Sequence, residues 1–202
     1  MNNNPLMIRT MTAVAVLVSG LGGSVAAQAD ARDLVNTHYF TAAYAEQDGE
    51  SGYRLTYQQR TDVDMTPRWR FDLMSRDIHE TLGHRRYERL QLGAGAGVRV
   101  TPSVYWNIAE AGWRADRYAL VNTSIWEHGY YIATDYEQWV TSALGYRLRA
   151  QYADVDDSAG TDLRGKALYA LTENLVLTAA YEVVNSGRVE EDILDVGVRV
   201  GW

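Results

Sequence analysis

The chain has no cysteine. That excludes a disulfide framework, a thiolate metal site, a cysteine nucleophile and a lipid-bearing cysteine behind an export signal. Proline is scarce, with three in 202 residues, and one of them is Pro5. Lysine occurs once, at Lys166, so the basic side chains are almost all arginine. Long apolar runs are also missing. The longest, Met11 to Leu21, is about half the roughly 20 residues that a membrane-spanning helix needs, and a helical membrane protein is excluded.

That short run reads as part of an address. Arg9 supplies a positive flank, Met11 to Leu21 the apolar centre, and Ala27-Gln28-Ala29 a small-x-small cleavage site. The expected organisation is a signal peptide over 1–29 and one domain over 30–202. The formal charge is −7, and removing Arg9 with the leader takes away one positive charge to leave −8. Such a balance argues against a nucleic-acid partner and against attraction to an anionic surface. Tyrosine, tryptophan and glycine are plentiful, at 14, 6 and 17, and aromatics suit a pleated sheet.

The last nine residues alternate without a break. Leu194, Val196, Val198, Val200 and Trp202 point one way; Asp195, Gly197, Arg199 and Gly201 point the other. The same period recurs in Tyr53, Leu55 and Tyr57 against Arg54, Thr56 and Gln58, and in Leu90 to Val100 against Arg89 to Arg99. It returns in Leu144 to Tyr152 against Gly145 to Gln151, and in Leu175 to Val183 against Thr178 and Glu182. Tight turns are expected at Thr66-Pro67, Thr101-Pro102 and Thr172-Glu173-Asn174. The second gap is about twice the first, which places a further turn at Thr134-Asp135-Tyr136, one hairpin per period.

Counting around those turns predicts an all-β, transmembrane, antiparallel up-and-down barrel of about ten strands, with eight or twelve as alternatives. The expected strands are 34–46, 53–63, 68–78, 86–100, 103–113, 119–134, 138–153, 162–171, 175–184 and 193–202. Polar stretches at Gln47 to Gly52, Asp154 to Gly160 and Asn185 to Asp192 are expected as outer loops. Residues 114–134 follow no clean register, and a bulge or a loop folded over the mouth is expected there.

A soluble barrel also alternates, with its apolar face turned inward. Here the other face carries twelve basic residues: Arg54, Arg60, Arg68, Arg70, Arg76, Arg89, Arg99, Arg147, Arg149, Arg164, Lys166 and Arg199. Four acids oppose them, Asp62, Asp72, Glu182 and Asp195. Such a face suits a lumen better than an outer surface. Trp69, Trp106 and Trp202 fall near one set of strand ends, where indoles sit well at the headgroup level, as half of an interfacial girdle. Trp139 lies near the same boundary, yet its register points it inward.

The C-terminus resembles that of the small outer-membrane β-barrel families of Gram-negative bacteria, whose last strand ends in an aromatic residue preceded by alternating apolar ones. Val196, Val198, Val200 and Trp202 carry the likeness. It implies a protein of the outer membrane, in contact with lipid and lipopolysaccharide, whose last strand is read by the barrel assembly machinery. A monomer without a cofactor is expected.

Chemical motifs are thin. His79-Glu80-Thr81-Leu82-Gly83-His84 looks like a zinc-protease helix but has one residue too many before the second histidine, so the imidazoles would not share a face. A loop between the third and fourth strands is the plainer reading. No histidine has serine two residues on, as a barrel deacylase would. Asp154, Asp156 and Asp157 lack a calcium-loop spacing and read as a solvated loop. The expectation is therefore a non-enzymatic barrel with a structural or surface-interaction role. The alternative is a narrow anion-preferring passage lined by the arginines, for small anions or acidic oligosaccharides, since guanidinium groups grip carboxylate and phosphate.

Overall fold

A computed structural model of the chain describes residues 38–47, 50–59, 66–80, 83–120, 123–186 and 189–202. The expected leader, Arg60 and Asp62 lie outside these residues. The side chains of Arg68, Trp69, Asp72 and Arg76 lie outside them too, although the strand that carries them is described.

Ten strands form: β1 His38–Gln47, β2 Glu50–Gln59, β3 Thr66–Glu80, β4 Gly83–Thr101, β5 Val104–Leu120, β6 Thr123–Trp139, β7 Leu144–Val155, β8 Ser158–Ala170, β9 Leu175–Ser186 and β10 Val189–Gly201. Each is antiparallel to the next, and β1 pairs with β10, so the sheet closes on itself. Closure matters because it leaves no strand edge with unpaired backbone groups. The seam runs from Tyr39 opposite Gly201 to Glu46 opposite Leu194. Reciprocal backbone bonds of 3.2 and 2.9 Å between His38 and Trp202 finish it.

The strand count agrees with the expectation, but several turns do not. Thr134-Asp135-Tyr136 lies inside β6, paired with β5 and β7. The chain reverses instead at 140–143, where the Val140 and Thr141 amides donate to the Leu144 carbonyl at 2.8 and 3.1 Å. Even spacing misled because β5 and β6 are 17 residues each. Thr66 and Pro67 likewise begin β3, opposite Gly97 and Ala96.

At the opposite end the expected loops are largely strand. Gln47 pairs with Glu50, Glu80 with Gly83, Leu120 with Thr123, Val155 with Ser158, and Ser186 with Val189. The reversal described in full, at Asp156 and Asp157, takes two residues. Polar side chains there suggested coil, yet the ladder is made by backbone groups, which pair equally well above the membrane. His79 and His84 face each other across one such hairpin and not along a helix or in a loop. Asp156 and Asp157 have φ of 48° and 58°, the left-handed pair that a two-residue hairpin turn requires. The acidic run is thus a tight turn and its approach.

Among the described residues of 114–134 no loop folds over the mouth. β6 runs in register from Thr123 to Gln138 apart from one shift opposite Asn107 to Glu110, so the irregularity sits on β5. Ile108 and Ala109 are both exposed, and the inward phase passes from Asn107 to Glu110.

Close approach at the wall explains one glycine pair. Gly93 and Gly112 face each other across β4 and β5, and the fully buried Tyr131 ring from β6 lies against both. A Cβ at Gly112 would stand 2.2 Å from the Leu92 carbonyl oxygen and 2.6 Å from the Gly93 Cα. Those atoms are backbone and cannot swing aside. Gly112→Ala is therefore expected to destabilise the barrel by about 1–3 kcal/mol, the usual cost of overpacking. Urea unfolding of the refolded protein in lipid vesicles measures it, and an unchanged midpoint would contradict this packing.

Candidate functional site

Alternation along each strand sorts the side chains into two sets. On β7 the outward positions are Leu144, Tyr146, Leu148, Ala150 and Tyr152, while Arg147, Arg149 and Gln151 are buried between them. On β10, Leu194, Val196, Val198, Val200 and Trp202 are all exposed, whereas Asp195 and Arg199 are buried. The exterior is apolar and the interior is charged. From Leu144 to Asp154 the strand rises about 33 Å, or about 24 Å of thickness at the usual tilt of about 45°. A hydrocarbon-facing band needs about 25 Å.

Aromatic belts border this band. At the end that holds the C-terminus, Trp106, Tyr169 and Trp202 are exposed. Trp202 stacks on His38, with centroids 6.1 Å apart, and lies beside Tyr57. The other end carries exposed Tyr44, Tyr53, Trp113, Tyr130 and Tyr152. Beyond them come Glu46 and Asp192, both exposed, and Arg117, which pairs with Glu88 and lies over Trp126. The sequence reading found only half of this arrangement because the second belt is mostly tyrosine. Two histidines join the belts, one at each end: His38 shares a hydrogen bond with the Tyr57 hydroxyl at 3.0 Å, and His128 stacks on Trp113.

Inside, seven arginines are buried among the described residues: Arg54, Arg70, Arg89, Arg114, Arg147, Arg149 and Arg199. Seven carboxylates are buried with them: Glu110, Asp116, Asp135, Glu137, Asp162, Glu182 and Asp195. The expectation of only four opposing acids is corrected, since Glu110, Asp116, Asp135, Glu137 and Asp162 are buried on the inner face as well. Arg199 approaches Glu137 at 3.2 Å and lies 4.1 Å from the centre of the Tyr39 ring. Arg147 reaches Asp135 at 2.7 Å, and Arg149 bridges Asp135 and Glu110 at 3.2 and 2.7 Å. Arg114 binds Asp116 and Asp162 at 3.0 and 2.8 Å. Arg89 reaches Asp162 at 3.4 Å and Glu182 at 3.1 Å. Arg54 joins Glu182 to Asp195, which also binds Arg164.

These contacts cross the lumen. β4 and β9, which supply Arg89 and Glu182, are five strands apart in either direction round the barrel. Asp162, Glu182 and Asp195, each shared by arginines from two different strands, tie separate walls together, and that sharing makes burial of so many charges tolerable.

Apolar side chains cap both ends of the ladder. Tyr105, Trp139, Leu168 and Val176 form a buried cluster at the end with the C-terminus. The inward register expected for Trp139 is correct: it is 1 % exposed, and its indole N–H donates to Glu137 at 3.3 Å. Ala45, Tyr87, Val184 and Ile193 form the other cap. Between the caps, two small cavities each leave about 20 Å³ open to the centre of a water molecule.

Of the expected lumen residues, Arg54, Arg70, Arg89, Arg147, Arg149 and Arg199 are buried together, with Arg164 and Lys166 beside them and Arg99 half-buried near the end of β4. Glu110, Arg114, Asp116, Asp135, Glu137 and Asp162 were not foreseen. Their signal was present. Asp135 and Glu137 alternate with Thr134 and Tyr136 in plain period two, but the supposed turn masked it; Glu110, Arg114 and Asp116 follow the bulge that shifts the phase of β5.

Apolar outside, charged inside and closed by its own hydrogen bonds, this is a transmembrane β-barrel. No protein-family model matches the chain, and no curated protein matches it. Among solved structures it is similar to the NanC porin, at 10% identity with a TM-score of 0.47, over 82% of this chain and 100% of that one. The Ail outer-membrane protein of Yersinia pestis in a phospholipid bilayer nanodisc gives 14% and 0.45, over 83% and 99%. The KdgM porin in complex with disordered oligogalacturonate gives 12% and 0.44, over 81% and 99%.

Proposed function

We propose that the chain is a structural, non-conducting β-barrel of the Gram-negative outer membrane, acting through its surface and not through a pore or a reaction. One observation carries this reading: the lumen is filled by a cross-linked ladder of arginines and carboxylates with an apolar cap at each end. A passage for acidic oligosaccharides needs an open track of unpaired cations, whereas most arginines here are held by carboxylates of the opposite or adjacent wall. Any surface role falls to the paired ends of β3–β6, which at 15 to 19 residues exceed the roughly 9–11 that span a membrane.

Export by a leader over 1–29, recognition of Val196, Val198, Val200 and Trp202 by the barrel assembly machinery, contact with lipopolysaccharide and a monomeric state belong to the same reading. Trp106 and Trp202 serve it as interfacial anchors. In favour of the C-terminal role, these four side chains lie exposed on the outer face of the closing strand. Planar-bilayer recording of the refolded protein tests the proposal. No discrete conductance steps are expected in potassium chloride or potassium acetate; reproducible single-channel steps with anion preference would overturn it in favour of the passage.

A further inference from the structure

One of these lumen cavities differs from the rest of the described interior. Its described lining includes Arg70, Arg147, Arg149, Arg164 and Lys166, with hydroxyls of Tyr39, Thr41 and Thr56, and no carboxylate among the described residues. Lys166 faces Arg147 directly across β7 and β8, and Arg164 precedes it by two positions on the same wall. Like charges placed opposite each other on a sheet repel. Arg147 answers with Asp135, and Arg164 with Asp195. Lys166 makes no ion pair or hydrogen bond among the described residues, although its half-buried side chain lines this cavity. An ammonium group partly withdrawn from water beside guanidinium groups is costly unless an anion or water meets it.

We propose that this cavity binds one small inorganic anion, held by the Lys166 ammonium and the neighbouring guanidinium groups, with the Thr41 and Thr56 hydroxyls as further donors. The open space of about 20 Å³ exceeds the roughly 10–15 Å³ that one water requires. It suits a single chloride-sized ion and has no room for a sugar acid. The site rests on the closed-lumen reading, in which the anion is a structural part of the ladder and not a solute in transit.

Thermal unfolding of the refolded full barrel in detergent, at equal ionic strength in sodium chloride and in sodium gluconate, tests it. Gluconate is too large for the cavity. Chloride is expected to raise the midpoint by about 5 °C, as a ligand that binds only the folded state does. Lys166→Met should have the same midpoint in both salts, and Arg117→Gln, remote from the cavity, should keep the full difference. Should Lys166→Met fail to refold, Thr41→Val is expected to shrink the chloride effect. Equal midpoints for the unaltered protein, or an undiminished chloride effect in the cavity variants, would overturn the site. Conductance bears on the closed lumen and not on this outcome, so the two failures are distinguishable.

Discussion

Replacing Glu137 with glutamine is expected to lower the stability of the barrel by about 3–5 kcal/mol, the usual cost of removing one partner from a buried ion pair. Glu137 is fully buried, approaches Arg199 through both carboxylate oxygens at 3.2 Å, and accepts the Trp139 indole N–H at 3.3 Å. The loss strands the Arg199 guanidinium over the Tyr39 ring with no full negative charge beside it. A double variant, Glu137→Leu with Arg199→Met, should be more stable than Glu137→Leu or Arg199→Met alone, because replacing both charges together strands neither the carboxylate nor the guanidinium and gives up only the Trp139 indole bond. Urea unfolding in lipid vesicles gives the four corners of the cycle. Simple additivity of the two single losses would mean that the pair is not coupled.

Trp139→Ala is expected to have a loss of similar size, about 3–5 kcal/mol, from removing a large buried aromatic side chain. The Trp139 ring seals the end of the lumen that lies beside the C-terminus. It packs with Tyr105, Leu168 and Val176, and a Cβ at Gly145 would meet the ring at 2.8 Å. Phenylalanine should recover much of the loss, since it restores most of the apolar volume and gives up only the bond to Glu137. If Trp139→Ala unfolded at the same urea concentration as the parent, the cap would contribute nothing to the barrel.

Much of the architecture was legible in the sequence because side-chain alternation is a direct imprint of a two-faced sheet. β10 shows this most plainly: its outward Leu194 to Trp202 and inward Asp195 and Arg199 stand where alternation puts them. Legibility failed where something other than side-chain chemistry sets the phase. Two exposed residues in succession, Ile108 and Ala109, shift β5 and hide Glu110, Arg114 and Asp116 from a fixed register. Polar hairpin ends such as His79 to His84 read as loops because composition reports solvent exposure and not backbone pairing. The misplaced turn at Thr134 to Tyr136 had the largest consequence. By removing Asp135 and Glu137 from the interior, it left Arg147, Arg149 and Arg199 without the carboxylates that hold them, and turned a filled barrel into a candidate anion passage.

Which face of the sheet meets lipid decides whether the charged ladder is a lumen. Tryptophan fluorescence of the barrel in bilayers of brominated lipid tests this most directly, using variants that keep Trp106 or Trp139 alone with the other tryptophans changed to phenylalanine. Trp106, which is 45 % exposed on the outer wall, is expected to be strongly quenched, while Trp139, sealed in the lumen cap, should keep its emission. Strong lipid quenching of Trp139 with an unquenched Trp106 would mean that the sheet faces the other way, and would contradict the account.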